Sequence, residues 1–235
     1  MRPRGFSLLE SLIGLALSLL VVCASLGFFM AAERSYFRLR DRQEAAQAAL
    51  AALDKMRVDI LRAGQGLAPA AALGLIEPVA ESGGLLVTRS EQAYALADDV
   101  AAGETRIRLG SAAGLSAGRE VLVTDAAGGE VRTLVSVGGD AAVISAPLGR
   151  GYARSDASLH LLERVALTLD AKQGVLRRRV NSSSAQPLLD DADAAEFAFD
   201  RPANLVRVRF SLAPQGGAFY ELRLFPKNTA LSGRG

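Results

Sequence analysis

The sequence predicts an α+β protein in which a long N-terminal α-helix packs on a C-terminal antiparallel β-rich domain. Three observations carry this. From residue 11 to residue 32 no charged side chain occurs. Apolar residues then recur at helical spacing up to Ala63, where Gly64 and Gly66 supply stop signals. Beyond residue 84 the pattern changes to period two, in short runs separated by Gly, Asp and Ser turns, as strands require.

The uncharged segment 11–32 is long enough to cross a bilayer, since a spanning helix needs about 20 mostly apolar residues. It also accounts for much of the positive mean hydropathy of +0.21. The short basic stretch Met1-Arg2-Pro3-Arg4-Gly5 favours a cytoplasmic N-terminus by the positive-inside rule. The far flank, 33–44, weakens that signal with Arg34, Arg38, Arg40 and Arg42, offset in part by Glu33, Asp41 and Glu44. A cleaved secretory signal ending near Val22-Cys23-Ala24 is the alternative. Two features oppose it: the apolar run exceeds the roughly 7–15 residues usual there, and Glu10 stands at its start. Val22 occupies the place where a lipoprotein signal wants a small residue, so Cys23 reads as a buried helix residue.

Past the span, Tyr36, Leu39, Ala46, Leu50, Leu53, Met56 and Ile60 form a core-facing stripe, while Arg42, Glu44, Gln47, Asp54 and Asp59 fill other faces. One helix from about Phe6 to Ala63 would be about 87 Å long. Its first half needs cover from lipid or from other copies of itself. Gly14 weakens it locally and permits close approach or melting. Residues 67–80, rich in Ala, Gly and Pro, read as a connector with little regular structure. Strands are expected at 84–88, 104–109, 119–124, 130–137 and 141–146 as one compact β unit. A second set is expected at 159–169, 174–180, 196–199, 205–212 and 218–225, the last two joined by a hairpin through Ala213-Pro214-Gln215-Gly216-Gly217.

Composition limits the chemistry. With 235 residues, 50% hydrophobic and 22% charged, the chain suits one domain or two small ones and is neither disordered nor collagen-like. A balance of 27 basic to 25 acidic residues advertises no nucleic-acid surface. One cysteine forbids an intramolecular disulfide, and one cysteine with one histidine cannot build a tetrahedral N/S zinc site. No cofactor is implied.

Gly5-Phe6-Ser7-Leu8-Leu9-Glu10, followed by the apolar helix, resembles the type III signal of type IV pilins and pseudopilins. The resemblance implies cleavage by prepilin peptidase between Gly5 and Phe6, N-methylation of Phe6, and an assembly role for Phe6 and Glu10. An acidic residue in a membrane helix costs roughly 2.5–3.5 kcal/mol and normally marks a function with a partner. The new α-amino group of a neighbour's Phe6 would be that partner, setting the axial register. The division that follows is a leader at 1–5, a long helix at 6–63 with its membrane-spanning half at about 11–32, a connector at 64–83, and a β-rich globular domain at 84–235. Asp54 to Gly64, reading Asp-Lys-Met-Arg-Val-Asp-Ile-Leu-Arg-Ala-Gly, is similar to the helix ending of PilW-like minor pilins and GspJ-like minor pseudopilins. Gly114 to Val123 and Gln186 to Phe199 are similar to later PilW-like segments. The C-terminal cysteine pair of many major pilins is missing. A pilin-like fold is implied, with other minor and major subunits, the inner-membrane assembly platform and membrane lipid as partners. The expected location is the inner membrane with a periplasmic β domain, and then a pilus or pseudopilus. A different class remains open, a single-pass membrane enzyme or binding protein whose N-terminus mimics the signal by chance.

Several motifs look chemical and are discounted. Gly114-Leu115-Ser116-Ala117-Gly118 matches a nucleophile elbow, but a strand rather than a helix follows it, so it reads as a glycine-rich turn. His160 alternates with Leu159 and Leu161 and reads as a surface side chain. Asp190, Asp191, Asp193 and Glu196 lack calcium-loop spacing and read as a solvated acidic turn. Arg177-Arg178-Arg179 alternates between faces of an expected edge strand guarded by charge. Gly64-Gln65-Gly66 lacks the third glycine and the preceding strand of a dinucleotide loop. No catalytic residue is assigned, and the chain is not expected to be an enzyme.

Overall fold

The computed structural model describes residues 8–67, 75–79, 83–213 and 219–232. The chain divides into two compact units, Met1–Gln47 and Ala48–Gly235. A single helix, α1 (Leu8–Leu61), supplies all the described structure of the first unit and begins the second. Phe6 lies outside the described residues, so the expected start of the helix is not visible.

In the first unit every described side chain from Leu8 to Glu44 is exposed, Leu8 at 80% and Phe28 at 72% among them. Cys23 is exposed within the chain too, and any cover for it has to come from lipid or from other helices.

In the second unit α1 buries Ala49, Ala52, Met56, Asp59 and Ile60. This stripe has helical spacing but is rotated from the expected one. Met56 and Ile60 belong to both, Ala46 and Leu53 are half-buried, and Tyr36, Leu39 and Leu50 are exposed. Hydrophobicity favours Leu50 over its neighbour Ala49. Close packing favours alanine, whose small side chain lets backbones approach. Asp59, expected on a polar face, is 1% exposed. The helix ends at Leu61 and a turn carries the chain to Gly64, whose φ of 70° belongs to the left-handed region that glycine tolerates. The Gly64 amide donates to the Thr88 carbonyl at 2.8 Å, and the Ser90 amide donates to the Gln65 carbonyl at 2.9 Å.

Among the described residues nine strands form one sheet. They are β1 (Ile76–Val79), β2 (Gly84–Ala95), β3 (Arg106–Arg108), β4 (Glu120–Asp125), β5 (Gly128–Gly138), β6 (Ala141–Ile144), β7 (Ser158–Asp170), β8 (Val175–Val180) and β9 (Gln186–Leu189). The order β1-β2-β7-β4-β5-β6-β3 runs across it, with β8 paired to β7 and β9 to β8. A second sheet holds β10 (Ala192–Asp200), β11 (Leu205–Leu212) and β12 (Phe219–Leu224), and a short helix α2 (Lys227–Ser232) follows. All pairings described between named strands are antiparallel.

Two expectations need correction. The connector, expected to hold little regular structure, contains the strand β1, which pairs with β2 in the register Ile76↔Val87 to Val79↔Gly84. Pro78 hid this strand; proline is tolerated here because β1 lies at the sheet edge. The two strand sets are also not separate. β7 lies between β2 and β4, so a strand of the second set is inserted into the middle of the first. Period-two patterning finds strands but carries no information on which distant ones pair. The expected hairpin holds as a pairing of β11 with β12, while residues 214–217 of its connection lie outside the described residues.

Inward positions of β4 and β7 meet those of the β3–β6 segment in one cluster that includes Val121, Val123, Leu134, Ile144, Leu159 and Leu161. The turn Gly149 to Tyr152 is clamped to it. Glu130 accepts from the Gly149 amide at 2.9 Å and from the Tyr152 hydroxyl at 3.1 Å, and also pairs with Arg132. Burial pushes the Glu130 carboxyl up, but these hydrogen bonds and Arg132 outweigh it and hold it below the usual range. Arg150 lies 4.5 Å from the Tyr152 ring centre and donates to Asp125, which keeps the Asp125 carboxyl low as well.

Candidate functional site

The helix α1 carries one stretch long and apolar enough to span a membrane, and none of that stretch is buried within the protein. Two serine hydroxyls of α1, one in that stretch and one just past it, bond back to their own helix. Ser18 donates its hydroxyl to the Gly14 carbonyl at 2.8 Å, and Ser35 does the same to Ala31 at 2.9 Å. A hydroxyl satisfied by its own helix is cheap to bury in lipid. Glu10 lies in the first turn of α1 as the helix is described, where the positive end of the helix dipole favours a carboxylate. It is exposed. Gly5 and Phe6, the expected cleavage and methylation positions, lie outside the described residues, so nothing places them against Glu10. Gly14 has open space around its missing side chain, as does Gly27. Neither glycine is needed for packing within the chain.

Beyond the span, Arg40 pairs with Glu44 one turn later at 2.7 Å, both exposed. At the other end of α1 a different kind of pair ties the helix to the sheet. Arg178 on β8 donates from Nε to Asp59 Oδ2 at 2.6 Å and from Nη2 to Asp59 Oδ1 at 3.0 Å. The two-pronged geometry matches the fork of a guanidinium to a carboxylate. Hydrogen bonding to Asp59 raises the Arg178 pKa further. This corrects the edge-strand reading of the arginine run. The arginine run does not guard an edge, since β8 is flanked by β7 and β9. Its middle member is a structural cation, whereas Arg177 pairs with Asp170 and Arg179 is exposed. No local signal in the sequence could have joined residues 119 positions apart.

His160 is likewise not a surface residue. It sits on β7 between β2 and β4, opposite Ala93 and Leu122, and is 8% exposed. Ser90 Oγ lies 3.1 Å from its Nδ1 and Ser158 Oγ lies 2.8 Å from its Nε2. Burial pulls its pKa below the ordinary 6.5. The unfolded chain then takes up this proton first, so the neutral histidine contributes stability above about pH 6.5 that is lost as pH falls toward the folded value. Urea midpoints should drop between pH 7.5 and pH 5.5, and His160→Asn should remove most of that slope.

Ser116 is exposed in a loop whose flanking Gly114 and Gly118 have φ of 87° and 81°. The chain then enters β4, so the strand-to-helix geometry of a nucleophile elbow is missing at this position. Asp190, Asp191, Asp193 and Glu196 are exposed around the β9–β10 turn. Among the described residues no group of three His, Cys, Asp or Glu side chains is arranged to hold a metal ion.

The chain is therefore one with a candidate membrane-spanning N-terminal helix and a C-terminal antiparallel β domain. No family model matches it, and no curated protein does. Solved structures that align with part of it include two phage tailspikes. One is the tailspike of Acinetobacter baumannii bacteriophage AP22, in complex with A. baumannii capsular saccharide, at 15% identity over 32% of this chain with a TM-score of 0.28. The other is the tailspike of Pseudomonas phage LKA1, at 22% identity over 31% of this chain with a TM-score of 0.27. The alignments span 15% of each tailspike, and a likeness this small carries no argument about fold or function.

Proposed function

We propose that the chain is a minor type IV pilin of the PilW-like kind, held in the inner membrane by α1, cleaved by prepilin peptidase after Gly5, and used to initiate or tip a pilus. The observation that supports this most is an exposed apolar helix that carries an acidic residue, Glu10, in its first described turn, four residues after Phe6 of the Gly5-Phe6 pair. Such a helix needs cover along its whole length. Lipid provides cover before assembly, and neighbouring helices provide it afterwards, when Glu10 meets the α-amino group of a neighbour's Phe6. The β domain remains periplasmic and contacts other minor subunits. The work of the protein is assembly rather than turnover. A GspJ-like minor pseudopilin of type II secretion uses the same signal and helix; deletion would trap secreted enzymes in the periplasm in that case, and abolish surface fibres in the first.

Intact-mass measurement of the chain purified from membranes tests the shared core of both readings. The expected product begins at N-methylated Phe6. A chain that retains residues 1–5, or is cut near Ala24, rules the reading out in favour of a membrane-anchored enzyme or binding domain, or of a secreted protein.

A further inference from the structure

The sheet contains a notch. Along β7, β4 pairs with residues 158–161 and β8 with residues 165–170, both on the strand edge opposite β2. Residues 162–164 meet neither strand. Side chains and a turn close the gap instead: Arg119 Nη2 donates to the Leu162 carbonyl at 3.1 Å, the Arg164 amide donates to Asn181 Oδ1 at 2.8 Å, and the Asn181 amide returns to the Arg164 carbonyl at 2.7 Å. Asn181 reaches this position through a left-handed backbone, φ 51°.

Over the gap lies a cleft of about 460 Å³, within the size range of small-ligand sites. Arg119, Arg164, Arg179, Glu120, Thr133 and Ser182 line it. Its charge and its donors point the same way. Three arginines and one carboxylate line it, and of these Arg164 pairs with Glu120 and Arg119 with Glu91 outside the lining. Arg179 is exposed and makes no ion pair among the described residues. Arg164 Nε lies 2.7 Å from Glu120 Oε2 but out of line with its own N–H, which is left as a buried donor without a hydrogen-bond partner. Arg119 Nε is a second such donor. Buried charged donors are costly to leave unpaired, and the hydroxyls of Thr133 and Ser182 add donors at the same place. A cation gains little there, and an apolar group would strand these donors.

We propose that this notch binds an oxyanion, a carboxylate or a phosphate, held between Arg164 and Arg179. The site stands independently of the assembly reading. Isothermal titration of the full chain in detergent micelles, at chloride-balanced ionic strength, uses inorganic phosphate in one arm and N-acetylglutamate in the other. Saturable binding of at least one probe is expected, and which arm responds identifies phosphate or carboxylate as the chemistry. Arg179→Ala, at an exposed position, should weaken binding about tenfold with an unchanged melting temperature, the loss of one charge-assisted contact. Glu120→Gln removes the competing carboxylate and should tighten it. No saturable heat with either probe, or equal binding by Arg179→Ala and the parent chain, overturns the proposal.

Discussion

Glu10→Leu should leave the chain in the membrane fraction and remove it from the fibre. Insertion itself becomes easier, because a charged side chain at the start of the span is replaced by an apolar one. On the proposed reading, assembly loses the carboxylate that would pair with a neighbour's α-amino group. Removing one partner of a buried ion pair costs about 3–5 kcal/mol, which corresponds to at least a hundredfold fall in incorporation. The opposite signs of the two effects make the experiment decisive. Fractionation and a quantitative immunoblot of sheared fibres, or of the secretion complex, read both from one culture. Normal incorporation of Glu10→Leu would mean that this residue only sits at the membrane interface. Glu10→Asp, which keeps the charge on a shorter side chain, should retain part of the function.

The second large effect is expected at the other end of the same helix. Asp59→Ala leaves Arg178 charged, 15% exposed at its side chain and without its carboxylate. A loss of about 3–5 kcal/mol follows, a large share of the roughly 5–15 kcal/mol that holds an ordinary domain together. Urea denaturation in micelles, followed by near-ultraviolet circular dichroism, measures it. Replacing both partners, Asp59→Leu with Arg178→Met, should recover most of the loss, since an apolar pair needs no desolvation of charge. A single-variant loss below about 1 kcal/mol would show that water reaches the pair, as at an exposed salt bridge.

These two residues also show where sequence reading succeeds and where it stops. The uncharged run, the helix stop at Gly64 and most strands of the β domain are written locally, in composition and period, and the structure follows them. Asp59 and His160 read as surface residues in the sequence because polarity is a local property. Their burial is decided by partners far along the chain, Arg178 for one and the serine hydroxyls of Ser90 and Ser158 for the other. Leu50 and Ala49 exchange places for a related reason: periodicity ranks hydrophobicity, while the packed interface selects for size. Pro78 concealed β1, since whether proline breaks a strand depends on its being at an edge, and edges are a property of the finished sheet. The notch is invisible for the same reason. Arg119, Arg164 and Arg179 are ordinary strand-region arginines until β4 and β8 stop short of each other along β7.

The position of β7 also fixes the order in which the domain can be completed. Arg89 on β2 meets Glu163 on β7 across 74 positions of sequence, and β4 likewise needs β7 as its neighbour. As the chain emerges from its N-terminus, β2 and β4 therefore present open edges and wait until the chain has delivered residue 170. Long loop closures of this kind slow folding and leave unpaired strands available to wrong partners. The vulnerable period in the life of this protein is the interval between the arrival of its second strand and its seventh. Chaperones that cap exposed strand edges should bind it in that interval and release it once β7 is in place.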